Sequence, residues 1–171
     1  KTFADYGVEE EITQALADKG ITYPFPIQAL TLGPALDRHD IIGQAKTGTG
    51  KTLGFGIPLL MDTLGPGEEG WDEDPASGSP QGLVILPTRE LAKQVAVELA
   101  QAASERTVRI VQVYGGRAYE PQIEALERGA EVVVGTPGRL IDLMDRHLLD
   151  LTHVTTVVLD EADEMLDLGF L

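Results

Sequence analysis

The chain has 171 residues, of which 43% are hydrophobic, and it contains no cysteine. This length and composition are typical of one globular domain with a proper core and exclude a disulfide-stabilised scaffold. The formal net charge of −15 argues against a broad polyphosphate-binding surface, so any nucleic-acid contact must use a few placed cations and backbone donors. No stretch matches a membrane span or a signal peptide, so we expect no membrane partner. The absence of cysteine is compatible with a reducing cytoplasm, and a cytoplasmic location is the expectation.

Hydrophobic periodicity predicts helices over 8–19 and 26–37, separated by the proline-rich turn TYPFPIQ. Strands follow near 40–44, 82–86, 108–113, 131–135 and 155–160, and helices near 50–64, 89–104, 119–128 and 137–147. Met144, in the helix near 137–147, and Met165, after the last strand, fall at helical apolar positions and are predicted to lie in the core. The alternation of strands and helices is typical of an α/β domain whose parallel sheet is covered on both faces.

The segment 65–80, GPGEEGWDEDPASGSP, interrupts this alternation between a helix and a strand. It is rich in acidic residues, glycine, proline and serine and contains no basic residue. This composition predicts a mobile surface loop.

A glycine-rich turn lies between the strand at 40–44 and the helix that opens with Lys51. Its sequence is AKTGTGKT, residues 45–52, and the order of strand, glycine turn and helix is the setting of a phosphate-binding loop. Glycines allow successive backbone N–H groups to point at one anion, and the helix N-terminus adds partial positive charge. We therefore predict that Lys51 reaches the β- and γ-phosphates of a nucleotide and that the Thr52 hydroxyl binds Mg²⁺.

An acidic motif follows the last predicted strand. Thr155 to Leu159 are apolar or β-branched, as in a strand buried on both faces, and Asp160 and Glu161 come next. A carboxylate at such a strand end can hold Mg²⁺, and its neighbour can orient or deprotonate an attacking water. The alternative is the ordinary enrichment of acidic residues at a helix start. Beside a phosphate loop, a nucleotide-hydrolysing site is the favoured interpretation.

Three further turns fall where a predicted strand passes into a helix. They contain Pro87, Thr88 and Arg89, then Gly115 and Gly116, then Thr136, Pro137, Gly138 and Arg139. Because ligands gather at the carboxyl ends of parallel strands and the guanidinium fork suits phosphate, these turns are candidate anion-binding groups. Each turn also has an ordinary structural interpretation, with Thr88 and Thr136 as helix caps and the glycine pair as a turn. Capping and phosphate binding are compatible, since both use the helix N-terminus.

In this order the motifs resemble those of the DEAD-box RNA helicases. The resemblance extends from about Phe3 to Phe170 and includes PTRELAKQ, GG, TPGR and DEAD. It also includes AKTGTGKT, because the phosphate loop of this family begins with alanine, here Ala45. The segment GITYPFPIQ, which ends at Gln28, is similar to the adenine-reading Q motif of the family. One departure is Phe25, which stands where the family usually has threonine and cannot make that hydroxyl's hydrogen bond.

The resemblance implies a RecA-like P-loop NTPase fold of three α/β/α layers, in which residues 1–38 carry the Q motif and residues 39–171 form the first ATP-binding domain. It implies that Gln28 and Phe3 hold the adenine. It implies a phosphate site made by Ala45, Lys46, Thr47, Gly48, Thr49, Gly50, Lys51 and Thr52. The catalytic residues would be Lys51, Asp160 and Glu161, with Asp160 reaching Mg²⁺ through water. Asp163 would link this site to the Ser-Ala-Thr motif that normally follows.

The resemblance also implies partners. The three strand-end turns would grip the sugar-phosphate backbone of one RNA strand with little sequence preference. The other partners would be ATP, Mg²⁺ and a second RecA-like domain of the full-length protein, which supplies arginine fingers. Because an arginine finger contributes about 10³–10⁵ in rate, we expect this chain alone to bind adenine nucleotide, hydrolyse it very slowly and unwind nothing.

Three other classes of protein share parts of this pattern. A GTPase switch would use the same phosphate loop, but no Asn-Lys-x-Asp guanine-reading element occurs in the chain. A DNA helicase or translocase has a similar core, and TPGR and the Q motif argue against it. A third possibility is an RNA clamp that uses ATP only to close and does not hydrolyse it.

Overall fold

The computed structural model describes residues 2–21 and 51–161. These residues belong to two units, one made of Lys1–Asp62 and Glu98–Thr107 and the other of Thr63–Val97 and Val108–Leu171. The helix predicted over 26–37 and the strand predicted over 40–44 lie outside the described residues.

Helices make up the described elements of the first unit. A short 3₁₀ turn, Ala4–Tyr6, precedes helix α1, Glu10–Asp18, and helix α2 spans Lys51–Met61. Helix α1 buries Ile12, Ala15 and Leu16 at the helical spacing that predicted it. Helix α2 is apolar along most of its length, and its side chains Ile57, Leu59 and Leu60 are fully buried.

The second unit is built on a four-stranded parallel sheet. Its strands are β1, Gly82–Ile85, β2, Ile110–Val113, β3, Val132–Gly135, and β4, Thr156–Leu159. The strand order is β2-β3-β1-β4. The first three strands are followed in sequence by α3, Arg89–Ala102, α4, Tyr119–Arg128, and α5, Pro137–Asp145. Each of these elements is present close to its predicted ends, so the predicted alternation is confirmed for this part of the chain.

The register of the strands is level at their carboxyl ends. Ile85 pairs with Gly135 on one side and with Leu159 on the other, and Gly135 pairs with Val113. Because the four strands end together, the segments that follow them all begin at the same edge of the sheet. This edge is called the strand-end edge below.

Strand β3 is buried on both of its faces, since Val132, Val133 and Val134 are each 0% exposed. Val133 belongs to a core in which side chains of α5, Leu140 and Leu143, pack against the sheet. A continuous run of valine is typical of a strand covered on both sides, so the pattern predicted this position correctly.

Strand β4 differs from the sequence prediction, which expected burial on both faces. Val157 is 58% exposed and Leu159 is 47% exposed, so one face of β4 is open. The prediction that Met144 lies in the core is also wrong, because this residue is 42% exposed on α5. Local apolar character shows that a residue tolerates burial, but what packs against it depends on the rest of the fold.

An ion pair between the partly exposed Arg109 and the buried Glu131 joins the beginnings of β2 and β3. The Glu131 side chain is fully buried, and its carboxylate accepts hydrogen bonds from Arg109 Nε at 3.1 Å and Nη2 at 2.7 Å. This hydrogen-bonded carboxylate raises the pKa of the Arg109 guanidinium. Gly129 has a φ of 110°, and a Cβ at this position would lie 2.6 Å from Arg109 Nη2. Glycine therefore leaves the space that the guanidinium occupies.

The acidic segment 65–80 forms a series of hydrogen-bonded turns. The N–H groups of Trp71, Asp74 and Ser77 each donate to the carbonyl three residues earlier. The two residues that flank this segment, Leu64 and Gln81, are joined by two hydrogen bonds. The Gln81 side chain donates to the Leu64 carbonyl and accepts from the Leu64 N–H, both at 2.9 Å. The segment is therefore closed at its base by one side chain, and its mobility stays a prediction.

Candidate nucleotide and nucleic-acid site

The two acidic residues after β4 stand at the strand-end edge. The Asp160 N–H continues the sheet by donating to the Ile85 carbonyl at 3.0 Å, and Asp160 is only 8% exposed. Its Oδ1 atom accepts the Glu161 N–H at 3.0 Å. Glu161 has a φ of 56°, a left-handed conformation that costs a non-glycine residue about 1–3 kcal/mol and concentrates at functional sites. The structure thus holds both carboxylates in a defined and strained turn.

The turn after β1 carries Thr88 and Arg89. The Thr88 hydroxyl accepts the Leu91 N–H at 3.3 Å, so Thr88 caps α3 as its ordinary structural interpretation predicts. The Arg89 side chain is 42% exposed. It also lies next to the turn after β2, because a Cβ placed on Gly116 would be 3.1 Å from Arg89 Nη1. Two of the predicted anion-binding turns therefore meet at this edge.

The glycine turn after β2 is joined to the turn after β3. Gly115 donates its N–H to the Thr136 hydroxyl at 3.4 Å, and Thr136 donates its own N–H to the Val113 carbonyl at 3.1 Å. Thr136 occupies the N-cap position of α5 with Pro137 in the first turn, but its side chain makes no capping hydrogen bond. The Thr136 hydroxyl instead links the two turns by accepting the Gly115 N–H.

Gly116 has a φ of 78°, a conformation that side chains rarely adopt. Gly115, Gly116 and Gly138 are all exposed at the strand-end edge. In the part of the chain that the structure describes, the Gly116 N–H has no hydrogen-bond partner. The turn therefore presents an accessible backbone donor beside the Arg89 guanidinium, an arrangement that suits an anion.

Arg139 is turned into the protein. The residue is 9% exposed, its Nη1 donates to Gln122 Oε1 at 2.9 Å, and its Nη2 donates to the Arg117 carbonyl at 2.9 Å. The Arg139 Cζ lies 3.9 Å from the centre of the Tyr119 ring. Sequence reasoning missed both Gln122 and Tyr119, because no local pattern connects α4 with a residue of α5.

The Tyr119 ring is itself held by α5. Its hydroxyl donates to the Asp142 carboxylate, and Arg146 Cζ lies 4.4 Å from the ring centre. Arg146 Nε also pairs with Asp142 Oδ1 at 3.2 Å. The Tyr119 hydroxyl, followed by Arg146, keeps the pKa of the Asp142 carboxyl below its ordinary value of 3.8.

This lowered pKa predicts an acid-dependent stability. Because the Asp142 pKa is lower in the folded state, the charged carboxylate stabilises the fold above pH 3.8, and this contribution is lost as the pH falls through the lowered value. We expect Asp142→Asn to lose less stability than the parent between pH 5 and pH 3, as measured by urea unfolding at each pH. Asp145→Asn, an exposed neighbour on the same helix, is the matched control. Equal pH dependence in the Asp142 variant and the parent would contradict the assignment.

The nucleotide residues predicted in the first unit are described in part. Thr52 is the second residue of α2 and is 8% exposed, and Phe3 is 2% exposed beside the 3₁₀ turn. Lys51 begins α2. The remaining predicted nucleotide residues lie outside the described residues: Gln28, Ala45, Lys46, Thr47, Gly48, Thr49 and Gly50. The predictions for Phe25, Asp163 and Met165 also fall outside them.

Oxygen atoms are the predicted metal donors, a hydroxyl from Thr52 and a carboxylate from Asp160, and both types suit Mg²⁺. Over residues 2–21 and 51–161 no cluster of three or more histidine, aspartate or glutamate side chains could hold a metal. Across the same residues no helix is long and apolar enough to cross a membrane.

A family model for the DEAD/DEAH box helicases matches residues 25–171. The chain belongs to this family. The resemblance predicted from the motifs is therefore confirmed over most of the chain.

Relatives of this DEAD/DEAH box chain include "RNA helicase CrhR" of Synechocystis sp., which is 48% identical over 99% of the chain. That alignment covers 32% of the relative, so the chain spans about a third of its length. A crystal structure of a DEAD box protein from Methanococcus jannaschii matches with a TM-score of 0.86 at 37% identity, covering 99% of this chain and 44% of that one. The RNA helicase Prp28 from Chaetomium thermophilum, solved bound to ADP, matches with a TM-score of 0.85 at 36% identity over 99% and 40% of the two chains. These likenesses confirm the predicted RecA-like α/β fold with helices on both faces of a parallel sheet.

Proposed function

We propose that this chain is the first RecA-like domain of an ATP-dependent RNA helicase. It binds ATP with Mg²⁺ and the backbone of one RNA strand, and in the full-length protein it couples ATP hydrolysis to local unwinding of RNA. The observation that carries the proposal is the strand-end edge. There a level parallel sheet aligns two carboxylates, Asp160 and Glu161, with three turns suited to phosphate. Family membership and the names of the relatives support the same reaction.

The proposed chemistry assigns one role to each acidic residue. Glu161 orients the attacking water and accepts its proton, and Asp160 holds Mg²⁺ through water, together with Thr52. When bound, Mg²⁺ would neutralise charge on the phosphate oxygens of ATP. The buried position of Asp160 supports this role, because a carboxylate that is only 8% exposed interacts more strongly with a cation than one in water.

The nucleotide site is proposed to use the phosphate loop and the Q motif. Lys51 with residues 45–50 would surround the phosphates, and Gln28 would hydrogen-bond the adenine edge. Phe3 would contact the adenine ring. The support for these assignments is the sequence motif and the position of Lys51 and Thr52 at the start of α2, where a helix N-terminus favours an anion.

The RNA surface is proposed to comprise Pro87, Thr88, Arg89, Gly115, Gly116 and Thr136 to Gly138. Arg139, predicted from the sequence to be part of it, belongs to this surface through its inward hydrogen bonds to Gln122 and the Arg117 carbonyl. Exposed backbone and one partly exposed guanidinium lie together there, as the approach of Arg89 to Gly116 indicates. Such groups bind phosphate without reading bases, so we expect slight sequence preference. A local site of this kind is also compatible with a chain whose net charge is −15.

Other parts of the proposal concern the full-length protein. A second RecA-like domain would complete the ATP site with arginine fingers, and Asp163 would connect the site to the Ser-Ala-Thr motif. The division into a Q-motif region, 1–38, and an ATP-binding domain, 39–171, is part of the same proposal. A cytoplasmic location stays a prediction.

RNA-dependent ATP hydrolysis by the full-length protein tests the proposal. We expect single-stranded RNA to stimulate ATP turnover, DNA of the same sequence to stimulate it much less, and ATP but not GTP to displace a fluorescent adenine nucleotide. GTP binding as tight as that of ATP would favour a GTPase switch. Equal stimulation by DNA would favour a DNA translocase, and ATP-dependent RNA binding without turnover would favour a clamp.

A further inference from the structure

We propose that Arg139 is a positioning residue, which holds the Gly115–Gly116 turn in its RNA-binding conformation through Gln122 and the Arg117 backbone. The inference rests on the proposed function, because it concerns how the RNA surface is organised. It assigns a role to Gln122 and Tyr119, neither of which belongs to the strand-end turns, and it places Arg139 behind the surface that meets RNA.

The donors of Arg139 are directed at the protein. Two of its nitrogen atoms donate at 2.9 Å, Nη1 to Gln122 Oε1 and Nη2 to the Arg117 carbonyl, and the residue is 9% exposed. Three of the five guanidinium N–H groups remain, but the residue is only 9% exposed, so a direct phosphate contact would require the side chain to turn outward and lose both hydrogen bonds and its contact with the Tyr119 ring. Hydrogen bonds to charged groups contribute about 1.5–3 kcal/mol each, so the inward arrangement is strongly favoured over an outward one.

Gln122 connects Arg139 to the backbone that precedes the glycine pair. Its amide oxygen accepts from Arg139, and its Nε2 donates to the Tyr114 carbonyl at 3.1 Å. The carbonyls of Tyr114 and Arg117 flank Gly115 and Gly116 in the sequence, and both are held by this pair of side chains. Gln122 is 7% exposed, so it can affect RNA binding only by holding the turn and not by contacting RNA.

Fixing the turn has an energetic consequence for binding. Each residue that must be ordered costs about 1–2 kcal/mol of conformational free energy, and a turn that is ordered beforehand removes that cost from the binding step. Gly116 is an exposed residue and is held at a φ of 78° beside Arg89. Arg139 and Gln122, called the Arg139–Gln122 clamp here, therefore fix the turn so that the Gly116 N–H and the Arg89 guanidinium are both in place before phosphate binds.

The Tyr119 ring packs against the Arg139 guanidinium. Its ring lies 3.9 Å from the Arg139 Cζ, and its hydroxyl is fixed by Asp142. A cation over an aromatic ring gains about 0.5–2 kcal/mol, with the larger values in desolvated positions. The ring thus fixes the guanidinium in the orientation that both hydrogen bonds require.

The test uses the full-length helicase with three substitutions, Arg139→Met, Gln122→Met and, as a control of equal charge change, Arg128→Met. Arg128 is exposed at the end of α4 and lies outside the clamp. The double variant Arg139→Met with Gln122→Met is prepared as well. Four readouts are measured for each variant: the RNA concentration that half-activates the ATPase, the kcat at saturating RNA, the slope of log Kd for RNA against log salt, and the urea midpoint of unfolding.

We expect Arg139→Met and Gln122→Met to raise the half-activating RNA concentration to a similar extent, about tenfold or more, with kcat retained. The double variant is expected to be little worse than either single variant, because the two residues act as one unit. The salt slope should stay at the value of the parent, and Arg128→Met should match the parent throughout. A merely structural role would lower kcat and the urea midpoint together, without this selective effect on RNA.

A direct phosphate contact predicts a different result. Arg139→Met would then change the salt slope by about 0.7, the value for one contact with a single strand, while Gln122→Met would leave RNA affinity unchanged, and this outcome overturns the inference. Should Gln122→Met not fold, Gln122→Glu keeps the acceptor for Arg139 and lacks the donor for Tyr114, so it gives the same comparison. A parent protein whose ATPase does not respond to RNA would overturn the proposed function as well.

Discussion

Replacing Glu161 with glutamine is expected to abolish ATP turnover in the full-length protein while ATP binding is retained. Glutamine has the shape of glutamate but cannot accept a proton from the attacking water. General-base catalysis contributes about 10²–10⁴-fold, so kcat should fall by that factor. The measurement is steady-state ATP hydrolysis at saturating RNA, together with titration of a fluorescent ATP analogue.

The geometry around Glu161 explains why binding should survive. The Glu161 N–H, which donates to Asp160 Oδ1 at 3.0 Å, is a backbone group and is unchanged by the substitution. The matched control is Glu127→Gln, an exposed residue of α4, which should keep the turnover of the parent. If Glu161→Gln hydrolysed ATP at the rate of the parent, Glu161 would not be the base. If the parent itself had no turnover, an RNA clamp would be the better description.

Gly135→Ala is expected to have the largest effect on stability among the single substitutions considered. A Cβ at Gly135 would collide with the Val113 carbonyl oxygen and would lie 2.7 Å from Val113 Cγ2 and 3.0 Å from Leu140 Cδ2. The first of these neighbours is backbone in the adjacent strand, so it cannot move without disturbing the sheet. Overpacking of a core costs about 1–3 kcal/mol and occasionally more, and we expect the upper part of this range.

Gly138→Ala is the control for this prediction. Gly138 lies in the first turn of α5, and a Cβ there would have no atom within 4 Å. Alanine in a helix is more favourable than glycine by up to about 1 kcal/mol, so this variant should be as stable as the parent or slightly more stable. Urea unfolding followed by circular dichroism measures both. Equal midpoints for the two variants would show that β3 can shift to accept the methyl group.

Much of the fold could be predicted because its signals are local. The valine run of β3 indicated a strand covered on both faces, and helical spacing indicated α1 with Ile12 and Leu16 inside. Alternation of the two periods is sufficient to predict a parallel sheet. That rule places every strand-end turn at one edge, and the level register confirms it for the four described strands.

The sequence was sufficient to predict which turns of the site meet. It was not sufficient to predict what each side chain contacts. Thr88 caps its helix as predicted, whereas Thr136 occupies a cap position and uses its hydroxyl for the Gly115 N–H. Both residues precede a helix, so their local patterns are alike. The difference arises because a neighbouring turn approaches Thr136, and this approach is set by the pairing of β2 with β3.

The family, the α/β class and the chemistry available at the strand ends could all be inferred from the amino-acid sequence, because these depend on residue type and on periods of a few residues. The contacts of Arg139 with Gln122 and Tyr119, and the exposure of Val157 and Leu159 on one face of β4, follow instead from tertiary packing. The physical reason is the same in both cases. A side chain's charge and apolar area are properties of the residue, but its partner and its burial depend on elements that packing brings from elsewhere in the chain.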